Sequence, residues 1–159
     1  MDAVTIVAIA GQLVVLCSNL SHTFQQVIKG SDARIQLLFQ EVASLSEVLN
    51  SIRSMKTFSN PGMDEYWPQL VRSMKDCEDT LQGLERILEA LKQSKHGLLG
   101  RVKRQIKWEA KSIDISLARQ RIASHRQAMS LTLQLMTVYV IPKVSFLMFT
   151  DPHFSQLIP

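Results

Sequence analysis

Aromatic residues make up only 6% of this 159-residue chain, and it holds 6 glycines, 5 prolines and 2 cysteines. So few turn formers, and so few β-branched runs, argue against a sheet protein. Cys17 and Cys77 lie 60 residues apart, so no paired-cysteine zinc motif exists. Each sits within an apolar helical pattern, where it reads as a buried, reduced thiol of a cytosolic protein. The glycines form neither a GxxxxGK[ST] nor a GxGxxG loop. His22, His96, His125 and His153 are scattered, and none pairs with Cys or a carboxylate at ligand spacing. No catalytic residue, cofactor site, metal site or small-molecule substrate is therefore expected, and the chain reads as a non-enzyme. Asn19-Leu20-Ser21 matches a glycosylation triplet but falls in the middle of an expected helix. An acid, Asp2, stands where a secretory signal carries positive charge, so no signal peptide is read.

What the chain does have is apolar content, 46% of all residues, enough for one domain with a substantial core. Its net charge of +4 is unevenly spread. Residues 1–91 carry seven Lys/Arg against eleven Asp/Glu, whereas residues 92–126 carry ten against two. The basic surplus belongs to one segment.

Helical periodicity dominates. A first helix is expected from about Asp2 to Ile28, apolar on every face in its first half. A second opens at Ser31, a good N-cap, and carries Ile35, Leu38, Val42, Leu45, Leu49 and Ile52 at spacings of three and four. Ser59-Asn60-Pro61-Gly62 is a turn cluster. The third helix starts near Asp64–Pro68 and repeats the alternation through Leu70, Met74, Cys77, Leu81, Leu84, Leu88 and Leu91. His96-Gly97 breaks the chain. A short basic helix, Leu99 to Lys111, is expected next, with an interruption at Ser112-Ile113-Asp114. A last helix follows to Tyr139 through Ile115, Ala118, Ile122, Met129, Leu133 and Met136, with His125 at a seam position, and Pro142 stops it. The expected fold is all-α: an antiparallel bundle of four to five helices over residues 1–140, then a poorly structured tail over 141–159.

Two features exceed scaffold. The first is the apolar segment from Val4 through Ile6, Val7, Ile9, Leu13, Val14 and Val15 to Leu16. A helix apolar all round is either central to a bundle or lipid-facing. From Val4 to Cys17 it has 14 residues, fewer than the roughly 20 that span a bilayer. The second is the basic stretch, with Lys103, Arg104, Lys107 and Lys111 as candidates for an anionic surface. A solvated helix face is its plainer reading. Nucleic acid is disfavoured, because Trp108 is the segment's lone aromatic and no helix-turn-helix accompanies it.

Several blocks resemble a known family. They are the start Met1-Asp2-x-x-Thr5-Ile6-x-x-Ile9-Ala10, the run from Leu38 to Leu49, the block Ile106-Lys107-Trp108-Glu109-Ala110-Lys111, and Arg121-Ile122-Ala123-Ser124-His125-Arg126. Together, over about residues 1–140, the chain resembles the HeLo-like amino-terminal domains of fungal STAND/NLR-type proteins. A domain of this group also heads a protein of an azaphilone-pigment cluster. The Lys-Trp block and the Ser-His-Arg helix are its most specific parts. The resemblance implies a HeLo-like bundle serving fungal programmed cell death, heterokaryon incompatibility and innate immunity. It also implies a membrane-active first helix, here Val4 to Leu16. The implied location is cytoplasmic, with recruitment to the plasma membrane on activation. Family chains continue into a nucleotide-binding or repeat region, whereas residues 143–159 read as a truncated or mis-spliced end. The implied partners are anionic lipid and, by self-association or otherwise, another helical domain. The alternative is an oligomerising helical adaptor without membrane activity.

Overall fold

The structure is a computed structural model that describes residues 3–27, 33–54, 66–92 and 98–150. Side chains are described for residues 4–26, 33–54, 66–91 and 109–138. Among the described residues there are four helices and no strand: α1 (Ala3–Val27), α2 (Ala33–Ser54), α3 (Trp67–Lys92) and α4 (Leu98–Thr150). Asp2, the Ser31 cap, the Ser59–Gly62 turn cluster and His96-Gly97 lie outside the described residues.

Each helix donates one stripe to a single core. The stripes expected on α2 and α3 are buried at every position, from Ile35 to Ile52 and from Leu70 to Leu91. On α1 the buried set is Ile6, Ala10, Leu13, Cys17, Leu20 and Phe24, again alternating by four and three. That spacing is a coiled-coil seam, narrower than the apolar surface it sits on. On α3, the Leu70 amide donates to the Tyr66 carbonyl at 3.1 Å, which makes Tyr66 the N-cap. Pro68 then falls in the first turn, where a missing amide proton costs little.

α4 departs from expectation at three points. It is one continuous helix, so among the described residues the basic segment is not a separate helix and there is no fifth element. The polar residues at 112–114 are accommodated on the helix itself. The Ser112 hydroxyl donates to the Glu109 carbonyl at 2.8 Å, and Lys111 Nζ pairs with Asp114 Oδ2 at 2.9 Å. Pro142 does not stop the helix, which runs on to Thr150, inside the segment expected to be an unstructured tail. The proline lacks the amide that would bond the Val138 carbonyl, a loss of about 3 kcal/mol. Its fixed φ is nonetheless helical, and no glycine or asparagine beside it offers a capped exit. Residues 151–159 lie outside the described residues. Third, the buried seam position is Thr132 and not Leu133, which is only partly buried against the core. The Thr132 hydroxyl donates to the Ala128 carbonyl at 2.9 Å, so a polar group is buried without losing its partner.

α1 packs on α2 and α3, and α4 packs on the same two helices. α1 and α2 are antiparallel: Phe24 meets Phe39 edge-on at 6.3 Å near their connection, and Gly11 faces Arg53 near the other end. α2 and α4, in contrast, are parallel neighbours. Arg34 and Leu37 share a groove with Ser112 to Arg119, and further along both helices Glu41 meets Arg126 at 3.4 Å. An antiparallel hairpin is thus joined to a neighbour running the same way as its second helix.

Replacing Leu81, fully buried, with Ala removes packing that α3 cannot recover. The expected loss is about 2–5 kcal/mol in urea unfolding followed by circular dichroism. Leu131→Ala on the exposed face of α4 should cost less than about 1 kcal/mol.

Candidate functional site

The apolar set on α1 divides once it is folded. Ile6 and Leu13 are buried in the core. Ile9, Val14 and Leu16 pack against the core's edge, and Val7 is half-buried. Val4 and Val15 are 75% and 59% exposed. The α3 side of the helix opens on a broad, shallow hollow of about 530 Å³, bordered by Gln12, Val15 and Asn19 and by Glu78, Glu85 and Arg86 of α3. There Gln82 Nε2 donates to Glu78 Oε1 at 3.2 Å.

The whole of α1 contains no Asp, Glu, Lys or Arg. The apolar segment is also longer than its first half suggests: Val4–Gln26 spans 23 residues at a mean hydropathy of 1.9. By length and composition that is enough to cross a membrane, a test the core helix of a soluble protein also passes. The energetics weigh against spontaneous release. Burying Ile6, Leu13, Leu20 and Phe24 contributes about 6–12 kcal/mol, comparable with the whole stability of an ordinary domain. Exposing that stripe to water would therefore cost about as much as the fold itself is worth.

The basic candidates lie on α4. Lys111 is exposed and paired with Asp114, and the side chains of Lys103, Arg104 and Lys107 lie outside the described residues. From Glu109 to Asp114 every side chain is exposed except the half-buried Ser112, so this turn of α4 is not seated on the core. Further along, Arg126 is engaged by Glu41, both side chains about one quarter to one third exposed, a pairing worth little in water.

Sequence reasoning missed a second apolar stripe. Leu131, Leu135 and Val138 are all exposed, at spacings of four and three, on the side of α4 away from Met129 and Met136. The signal was present as an alternation offset from the core seam, but beside that seam it reads as mere widening.

His125 is half-buried where α4 meets α3. Its Nε2 lies 3.4 Å from the Thr80 hydroxyl oxygen. That hydroxyl donates its proton to the Asp76 carbonyl at 3.0 Å, so its oxygen accepts from a ring that carries hydrogen on Nε2. Burial pushes the His125 pKa down, Asp76 pulls it up, and Arg121 pushes it down again. Burial likewise raises the Cys77 thiol to about 12, with a further push from the Cys17 thiol. Both cysteines are free and buried. Among the described residues no three His, Cys, Asp or Glu side chains gather as a metal site.

Comparison with protein-family models, with curated proteins and with solved structures gives no match.

A histidine held neutral in the fold binds its proton more readily once unfolded. His125 therefore contributes stability that is full above its ordinary pKa of 6.5 and lost as pH falls through its lower folded value. Urea midpoints should drop between about pH 7.5 and pH 5.5, and His125→Gln should flatten that drop.

Proposed function

We propose that this chain is a non-enzymatic signalling domain that perturbs membranes through α1, in the setting of fungal cell death and innate immunity that its HeLo-like resemblance implies. One observation carries the reading: α1 is uncharged along all 25 residues, although the core uses a single stripe of it. A helix that only had to seat that stripe would ordinarily place charges on its outer face. Here the outer face carries Val4, Ala8, Gln12, Val15 and Asn19. On this reading the bundle holds α1 at rest, and an anionic bilayer receives it, with the basic stretch from Lys92 to Lys111 lying on the lipid.

Val15 is the midpoint of the Val4–Gln26 span and is exposed in the bundle, so Val15→Lys tests insertion without emptying the core. A charge at bilayer depth costs roughly 2.5–3.5 kcal/mol. The added positive charge does nothing to weaken attraction to anionic lipid. Wild-type protein should release dye from anionic liposomes, and the variant should need on the order of 100-fold more protein for the same release. Undiminished leakage from a variant of native helicity would refute this reading.

The stripe of Leu131, Leu135 and Val138 favours a second reading, an adaptor that pairs with another helical domain or with itself. Light scattering should then show a concentration-dependent dimer, and Leu131→Gln with Leu135→Gln should return it to monomer. A wild-type monomer at high concentration contradicts pairing with itself.

A further inference from the structure

We propose that the outer face of α4 pairs with the same face of a second copy of the chain, antiparallel, about a two-fold axis at Ser124. Leu117 and Leu131 stand seven positions either side of Ser124, Ile113 and Leu135 eleven, and all four are exposed. Running the helix against its own copy therefore sets Leu117 on Leu131 and Ile113 on Leu135, each contact made twice. Two further pairs fall in the same row. Ala110 stands as far before Ser124 as Val138 stands after it, both exposed, and Gln120 answers the half-buried Ala128. From Ala110 to Val138 the steps are three, four, three, four, then four, three, four, three. That is a helix-pairing seam that is the same from either end.

Such symmetry selects the partner. A two-fold interface requires a face that complements itself, whereas a face for a different helix has no such requirement. α4 is itself centred on this axis: it runs from Leu98 to Thr150, with Ser124 at its midpoint. The exposed Ser124 side chain is small and lets the two helices approach closely where they cross. Charge is also compatible. Between Ile113 and Val138 the charged residues are Asp114, Arg119, Arg121 and Arg126, and none falls on the seam. Antiparallel pairing sets Arg121 opposite Gln127 and Asp114 opposite Gln134, so no like charges stand directly opposed.

The seam is about 42 Å long. On a helix about 10–12 Å across, it presents roughly 450 Å² in plan from each copy, at the lower end of specific interfaces. The dimer is therefore weak, forming at roughly micromolar chain concentrations and above. This proposal rests on the adaptor reading given above and deepens it: the partner is a second copy, and its direction is fixed.

Sedimentation equilibrium of the full chain should show monomer and dimer exchanging with concentration. Leu117 lies outside the stripe of Leu131, Leu135 and Val138, yet Leu117→Gln should weaken the dimer on the order of 100-fold, because each dimer loses the contact twice. Ser124→Cys places a thiol on the axis and should give a disulfide-linked dimer with oxidised glutathione. Gln120→Cys should not, since it stands about 12 Å along the helix from its twin, beyond disulfide reach. The native Cys17 and Cys77 are buried and stay out of this reaction. A dimer unaffected by Leu117→Gln at native helicity overturns the antiparallel seam and leaves self-pairing by another face standing. Gln120→Cys linking as readily as Ser124→Cys overturns it in the same way. A wild-type monomer at millimolar concentration overturns the proposal and leaves the adaptor reading only a different helical domain as partner.

Discussion

The stripe Ile6, Ala10, Leu13, Cys17, Leu20 and Phe24 ties α1 to the bundle, and the other proposed behaviour of the chain depends on how firmly it does so. Apolar burial is non-directional, so the same side chains are satisfied equally by leucines of α2 and α3 or by acyl chains. No buried charge on α1 has to be unpaired before it moves, and none needs a specific partner afterwards. On the proposed reading, the bundle sets a threshold for release and not a prohibition.

How much of this was legible in the sequence depended on polar contrast. On α2 and α3, charged residues flank each seam, so the phase of the helix could be read position by position. α1 lacks that contrast, and its all-round apolar character concealed which stripe would be buried. α4 misled for a different reason. Local rules assign Ser112-Ile113-Asp114 and Pro142 to boundaries, yet the structure supplies a side-chain-to-backbone bond at Ser112 and carries the helix across the proline. Thr132 took the seam position because its hydroxyl bonds back to Ala128, a compensation that hydropathy does not register.

The candidate surfaces were legible to differing degrees. α1 stood out by composition alone, and the basic run by simple counting. The meeting of α2 and α4 could not be found that way, since its residues are separated by 85 positions and joined only by the parallel packing of the two helices. The same packing sets Glu41 against Arg126, which consumes one of the arginines that counting had assigned to the basic surface.

The length of α4 has a mechanical meaning. Its 53 residues correspond to about 80 Å of helix, whereas its buried residues among those described run only from Ile115 to Met136. Over its described side chains, 109–138, α4 is gripped by α2 and α3 from Ile115 to Met136. Removing α1 from beside α2 and α3 would loosen the two helices that do the gripping, so an event at the amino terminus would be felt along this stretch of α4.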